Sequence, residues 1–220
     1  MLSYLVGSLM GALIVGRLYG RVDIRTMGSG NAGGTNALRT QGALFAFWVL
    51  LIDIGKGAIG AGVIPALELP FVPLDPAISR TWLALCCAAA AVVGHVWPMY
   101  HRFRGGKGAA TFVGTLLVLG PALIFPLVVV WASVIALSGY VGLATIAAAI
   151  GLPVWLAATH LPDDQPLFIY SAAMAIFIVY CHRSNVQRMK SGTENRNTKL
   201  MLFKPKPAAA NKNTGNDDNA

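Results

Sequence analysis

Charge is scarce in this 220-residue chain: 12% of its residues are charged, and only 9 are Asp or Glu. With 55% hydrophobic residues and a mean hydropathy of +0.61, that scarcity excludes a soluble globular domain of this length. Cysteine is scarce as well. Cys86, Cys87 and Cys181 all fall in apolar stretches, and an odd number without paired spacing excludes a disulfide framework. No Cys or His set recurs at metal-ligand spacing, so neither a metal nor any other cofactor is expected. A secretion signal is excluded too, because no basic residues precede the first apolar run; Arg17 and Arg21 follow it. No internal repeat is evident.

Long apolar runs are what the chain does have. They extend over Leu2 to Tyr19, Ala43 to Leu67, Thr81 to Met99, Ala109 to Leu137, Val141 to Thr159 and Leu167 to Cys181. All but the last approach or exceed the ~20 residues that cross a bilayer as helix. Of the 17 Lys and Arg, all but Arg17, Lys56 and Arg80 lie in the first loop, the third loop or the tail from Arg183 onward. Basic loops stay in the cytoplasm, which places these three segments inside and leaves Glu68, Asp75, Asp163 and Asp164 on the opposite side. An inside third loop and an inside tail need an even number of crossings between them, whereas three unbroken runs give an odd one. Residues 109–159 amount to about 76 Å of helix at 1.5 Å per residue, enough for three short or tilted crossings. Breaks are expected at Gly120-Pro121 and Ser138-Gly139. The expected fold is therefore an all-α polytopic integral membrane protein of about seven transmembrane helices, with the N-terminus outside and the C-terminus cytoplasmic; a re-entrant first half is the alternative. Residues 1–203 form a single catalytic domain in this reading, and 204–220, rich in Pro, Asn and Ala, a disordered tail.

The polar connections carry the chemistry. GSGNAGGTNALRTQG, Gly28 to Gly42, sets Ser29, Asn31, Thr35, Asn36 and Arg39 among glycines that include Gly30 and Gly33. A backbone nest of N–H groups with an Arg fork grips a phosphate, a role a flexible connector would not require. FRGGKGAAT, Phe103 to Thr111, puts Gly105, Gly106, Lys107 and Gly108 directly before a helix, where free N–H groups and the helix dipole favour an anion. It is not a Walker A loop, since Gly108 stands where Ser or Thr would hold magnesium. Alone it serves equally well as a basic topogenic turn. His182, Arg183, Asn185 and Arg188 follow the last run; the arginines fit a stop-transfer cluster, and His182 and Asn185, three apart, share a helical face. Asp53 and Lys56, also three apart, are expected to pair with each other inside the second span. His95 and Pro98 close the third, in a mainly geometric role.

Taken in order, GSGNAGGTNALRTQG, DIGKG, HVWPMYHRFRGGKGAAT and HRSNVQRMKSGTE resemble the signature segments of the bacterial acyl-phosphate-dependent glycerol-3-phosphate acyltransferases, over Asp23 to Glu194. The resemblance implies a seven-helix enzyme of the bacterial cell membrane with its active site on the cytoplasmic side. It would move a fatty acyl group from acyl phosphate to the 1-hydroxyl of glycerol 3-phosphate, giving lysophosphatidic acid, with possible coupling to the enzyme that makes acyl phosphate. It makes Ser29, Asn31, Gly33, Thr35, Asn36 and Arg39 one wall of the site, with the backbone of Gly28 and Gly30. Lys107, with Gly105, Gly106 and Gly108, becomes the principal phosphate ligand, and His182 and Asn185 complete the pocket. Two departures stand out. Gly142 occupies a place where the family usually has serine, though Thr145 keeps a later hydroxyl, and Ser184 stands where Glu is frequent.

So sparse a site suits an acyl phosphate, whose leaving group is already good: orientation and charge neutralisation remain the main tasks. A substrate phosphate oxygen can take the proton itself; a solvent-exposed His182 is the rival base. An acyltransferase of the His-x4-Asp type is disfavoured, as none of His95, His101, His160 or His182 has an Asp five positions later. A metal-dependent CDP-alcohol phosphotransferase would need several Asp on one helix, and only Asp53 lies within a span. The non-enzyme alternative is a transporter of an anionic phosphate ester. No nucleic-acid partner is expected; the partners are the two small substrates and the bilayer.

Overall fold

The structure, a computed structural model, describes residues 1–68 and 75–203; the tail expected to be disordered, 204–220, lies outside them. Regular structure among the described residues is helical throughout: α1 (Leu2–Gly7), α2 (Gly11–Leu18), α3 (Gly34–Gln41), α4 (Ala43–Ala58), α5 (Arg80–Val96), α6 (Ala109–Leu119), α7 (Ile124–Ser138), α8 (Val141–Thr159), α9 (Gln165–Cys181) and α10 (Arg183–Lys190). Short turns extend α4 through a π segment, Ile59–Val63, and a 3-10 turn, Ile64–Ala66. By length and composition four described stretches can cross a membrane: Ala43–Ala66, Arg80–His101, Pro121–Ser138 and Val141–Thr159. A fifth qualifies only if α9 and α10, bent by 51°, are counted together. Only 17% of the Pro121–Ser138 window is buried inside the protein, and its exposed Phe125, Val128 and Val129 face where lipid would be.

The breaks within 109–159 fall at the expected places. α6 ends at Gly120, and Pro121, whose fixed φ suits the first position of a helical turn, starts the next segment. α7 ends on Gly139 at φ 73°, the left-handed conformation that glycine adopts without strain.

The first run departs from the expected single helix over Leu2 to Tyr19: it is two helices, broken between Gly7 and Gly11. In lipid a broken helix must have its open backbone groups satisfied from inside the protein. Asp53 and Lys56 do this from α4. Asp53 Oδ1 accepts from the Gly11 N–H at 3.2 Å, Lys56 Nζ donates to the Leu9 carbonyl at 2.6 Å, and the two side chains pair at 2.8 Å.

α1 packs on α5, α4 on α6, and α8 between α7 and α9. The α4–α6 crossing is so close that a Cβ at Gly57 would collide with the Thr111 carbonyl and one at Gly114 with the Ile54 carbonyl. One apolar core, with Val92, Phe112, Leu116, Leu152, Leu156 and Ile178, fills the space among α5, α6, α8 and α9. A second, with Met10, Val15, Ile24, Ala32, Ala37 and Phe45, lies beneath the first loop and fixes it in place.

Candidate active site

Three helices begin at one polar cleft of about 130 Å³. Gly34 and Thr35 of α3, Ala109 and Ala110 of α6, and Val141 and Gly142 of α8 all line it. None of the three has a side-chain cap, their N-cap residues being Gly33, Gly108 and Tyr140. The first-turn N–H groups of a helix have no intrahelical partner, and each helix adds the positive end of its dipole. Three such ends around one cavity suit an anion.

The first loop reaches this cleft because it is packed rather than loose. Asn36, buried, donates through Nδ2 to the carbonyls of Ile24 at 2.9 Å and Met27 at 3.0 Å, and its Oδ1 accepts from the Ser29 N–H at 2.9 Å. Asn36, expected as a phosphate ligand, lines the cleft, and these bonds commit its amide protons to the loop. Gly28, at φ 56°, lies so close to Asn36 that a Cβ would strike it. Ser29, Asn31, Gly33, Thr35 and Arg39 line the cleft. Arg39, on the exposed side of α3, makes no hydrogen bond to another described residue within the structure. Gly28 and Gly30, expected among the phosphate-binding backbone, shape the turn behind that wall, with Gly30 opening toward a neighbouring basic pocket.

Lys107 comes to the cleft from the turn before α6, where Gly108 adopts φ 84°. Lys107 Nζ donates to Asn185 Oδ1, Asn185 Nδ2 donates to Glu194 Oε1 at 2.8 Å, and Arg188 Nε donates to Glu194 Oε2 at 2.6 Å. Burial, reinforced by the nearby Arg188, pulls Lys107 down to about 8. Little in the sequence pattern marks Glu194, although it closes the HRSNVQRMKSGTE segment; it is the carboxylate that orders Asn185 and Arg188. Gly142 stands against Asn185 without room for a Cβ, so a serine there would require Asn185 to move.

His182 is not solvent-exposed as expected but buried, at 5% relative exposure. A carbonyl can only accept, so the 2.8 Å contact with the Ile178 carbonyl puts a proton on His182 Nδ1 and leaves Nε2 an acceptor. Burial drives its pKa down to about 4, which keeps it neutral at physiological pH and makes it a weak base. Thr145 lines the cleft, but its hydroxyl donates to the Val141 carbonyl at 2.9 Å and accepts from Trp131 Nε1 at 3.3 Å, so its proton is not free for a phosphate.

An apolar groove of about 540 Å³ opens from the same place, shaped by Phe47, Leu50, Phe112, Leu127, Trp131 and Ile135. Thr35, Arg39, Ala109 and Thr145 line both spaces, so the groove and the cleft adjoin. An anion at the helix ends and an aliphatic chain in the groove would meet at Arg39 and Thr35.

Residues 1–192 match the family model described as glycerol-3-phosphate acyltransferase. The glycerol-3-phosphate acyltransferase of Chlorobium luteolum is 36% identical over 89% of this chain and 94% of its own length. That of Geobacillus kaustophilus is 38% identical over 88% and 92%. PlsY (YgiH), an integral membrane glycerol 3-phosphate acyltransferase, superposes with a TM-score of 0.74 in its glycerol 3-phosphate form, at 28% identity over 89% of this chain and 92% of that one. Its lysophosphatidic acid form gives 0.73, also at 28% identity.

Proposed function

The chain belongs to the glycerol-3-phosphate acyltransferase family, and from that premise we propose that acyl phosphate is the donor from which it acylates the 1-hydroxyl of glycerol 3-phosphate. The products are lysophosphatidic acid and inorganic phosphate. The observation that carries this reading is the junction of the cationic cleft with the apolar groove. An acyl phosphate is a dianion joined through a carbonyl to an aliphatic chain, and its reacting carbon would sit at that junction.

Arg39, Lys107 and the N-termini of α3, α6 and α8 hold the two substrate phosphates, with Ser29, Asn31 and Thr35 as polar wall. The 1-hydroxyl oxygen attacks the acyl carbon, the bond from that carbon to the phosphate oxygen breaks, and the departing phosphate takes the hydroxyl proton. Lys107 and the helix ends neutralise charge as it collects on the leaving group, and Asn185, held by Glu194, aims Lys107. His182, neutral with Nε2 as acceptor, orients the hydroxyl without having to be the base.

The bias of basic loops toward the cytoplasm supports a site on the cytoplasmic side of the cell membrane, in a reading with seven crossings of which α1 with α2 and α6 are short members. Acyl phosphate then arrives at that face from the enzyme that makes it. The test is donor choice. Purified protein in lipid bilayers, given glycerol 3-phosphate, should form lysophosphatidic acid from palmitoyl phosphate and not from palmitoyl-CoA or palmitoyl carrier protein; comparable product from either thioester would overturn the assignment.

A further inference from the structure

His95 ends α5 beneath the Gly105–Lys107 turn and lines the cleft, although 98% of its surface is covered (relative exposure 2%). Its ring is held from one side only. Lys56 Nζ lies 2.8 Å from His95 Nδ1, 2.6 Å from the Leu9 carbonyl and 2.8 Å from Asp53 Oδ1. An ammonium has three protons and no lone pair. All three are therefore spent, the third on Nδ1, which has to be the accepting nitrogen. The ring proton is then on Nε2, because a protonated imidazole would set an N–H against the ammonium.

That second nitrogen faces the turn before α6. It sits against Gly106 so closely that no Cβ would fit, while the Gly106 N–H donates to the His95 carbonyl at 3.1 Å. Gly105 has no room for a Cβ against that same carbonyl. Among the described residues Nε2 has no hydrogen-bond partner, and the contact to Lys56 is the only hydrogen bond of the ring. Unlike the sealed and unpartnered Asp53 Oδ2 and Thr111 Oγ1, Nε2 keeps some accessible surface, so its proton is left for water or a ligand.

We propose that His95 is a further substrate-binding residue, donating Nε2–H to a phosphate oxygen held over the Gly105–Lys107 turn, with Asp53 and Lys56 as positioning residues that fix its tautomer. The proposal rests on the phosphate site assigned above, and it applies to the phosphate of either substrate. It gives the buried ion pair a second task besides closing the break between α1 and α2. Asp53 Oδ1 lies 3.5 Å from His95 Nδ1 but 2.8 Å from Lys56 Nζ, so it orients the ammonium rather than the ring.

The tautomer can be read in the intact, unmutated enzyme. In bilayers, 13C,15N solid-state NMR with His95 assigned through Gly94 and Val96 should show an unprotonated Nδ1 and a protonated Nε2 without ligand. Saturating glycerol 3-phosphate or a non-hydrolysable acyl phosphonate, added separately, should shift the Nε2 proton; the ligand that shifts it identifies the phosphate contacted. Protonation at Nδ1, or an Nε2–H unmoved by ligands that demonstrably bind, would overturn the proposal. Failure of both ligands to bind would instead count against the proposed substrates, and the ligand-free tautomer is judged independently of it. Kinetics give a second readout: a Gln amide nitrogen can stand near Nε2, whereas that of Asn stands near Nδ1. His95→Asn should raise the KM of the contacted substrate roughly ten-fold, and His95→Gln should restore most of it; equal KM values in the two variants would contradict the role.

Discussion

Lys107 shows how far single residues could be read from sequence. A lysine among glycines before a helix pointed to an anion, but its partners Asn185, Glu194 and Arg188 come from beyond α9, and spacing along the chain cannot show that they meet. Asn36 carries a task that spacing does not show: it lines the cleft, and its amide also ties the loop together through Ile24 and Met27. Lys107→Ala and Arg39→Ala should each lower kcat/KM by roughly thirty-fold to a thousand-fold, as expected for losing a charge-assisted contact of about 2 to 4 kcal/mol in the transition state. Circular dichroism melts should stay close to wild type; full turnover by either variant would remove it from the phosphate site. Lys107 also sets a pH limb. Its ammonium is the form that would hold phosphate, and with a pKa of about 8 that form is present below pH 8 and lost above it. The profile of kcat/KM should therefore fall as pH rises through about 8. A bound dianion favours the ammonium, so the limb in kcat should lie at higher pH. Lys107→Arg, if active, should abolish the limb in both; its persistence would assign the titration to another group.

At the scale of elements, helices whose ends are written in local chemistry were legible. Gly120-Pro121 and Gly139 terminate α6 and α7 as glycine and proline do in any helix. The break between α1 and α2 was not legible, since its open Leu9 carbonyl and Gly11 N–H are satisfied from α4, more than forty residues away. Asp53→Asn puts this to the test. Asparagine can still accept from Gly11, but Lys56 keeps a buried charge with no counter-ion, a loss of about 3 to 5 kcal/mol where such pairs are broken from one side. A markedly lower Tm in detergent is the expected result, and a wild-type Tm would show that the pair does not hold the break.

The molecule as a whole was legible in class, because low charge and long apolar runs leave an integral membrane helical protein as the only outcome. The apolar groove was not, since its walls come largely from α4, α6, α7 and α8 and are indistinguishable in sequence from any lipid-facing or core residue. The proposed orientation rests on the basic loops: single cysteines near Arg39, near Lys107 and after His182, with Cys86, Cys87 and Cys181 replaced, should resist an impermeant thiol reagent in intact cells and react after permeabilisation. Labelling of any of them from outside would overturn the topology.

In the proposed reading one cleft binds both phosphates through Lys107, Arg39 and three helix ends, and the reaction calls for no divalent ion. Among the described residues, no group of three His, Cys, Asp or Glu stands where it could hold one. The measurement closest to this claim is turnover of purified protein with palmitoyl phosphate and glycerol 3-phosphate in excess EDTA, at increasing inorganic phosphate. Acyl transfer should continue undiminished in the chelator, release one phosphate per lysophosphatidic acid formed, and slow competitively as inorganic phosphate fills the cleft. Loss of activity in EDTA, restored by a divalent metal, would contradict it.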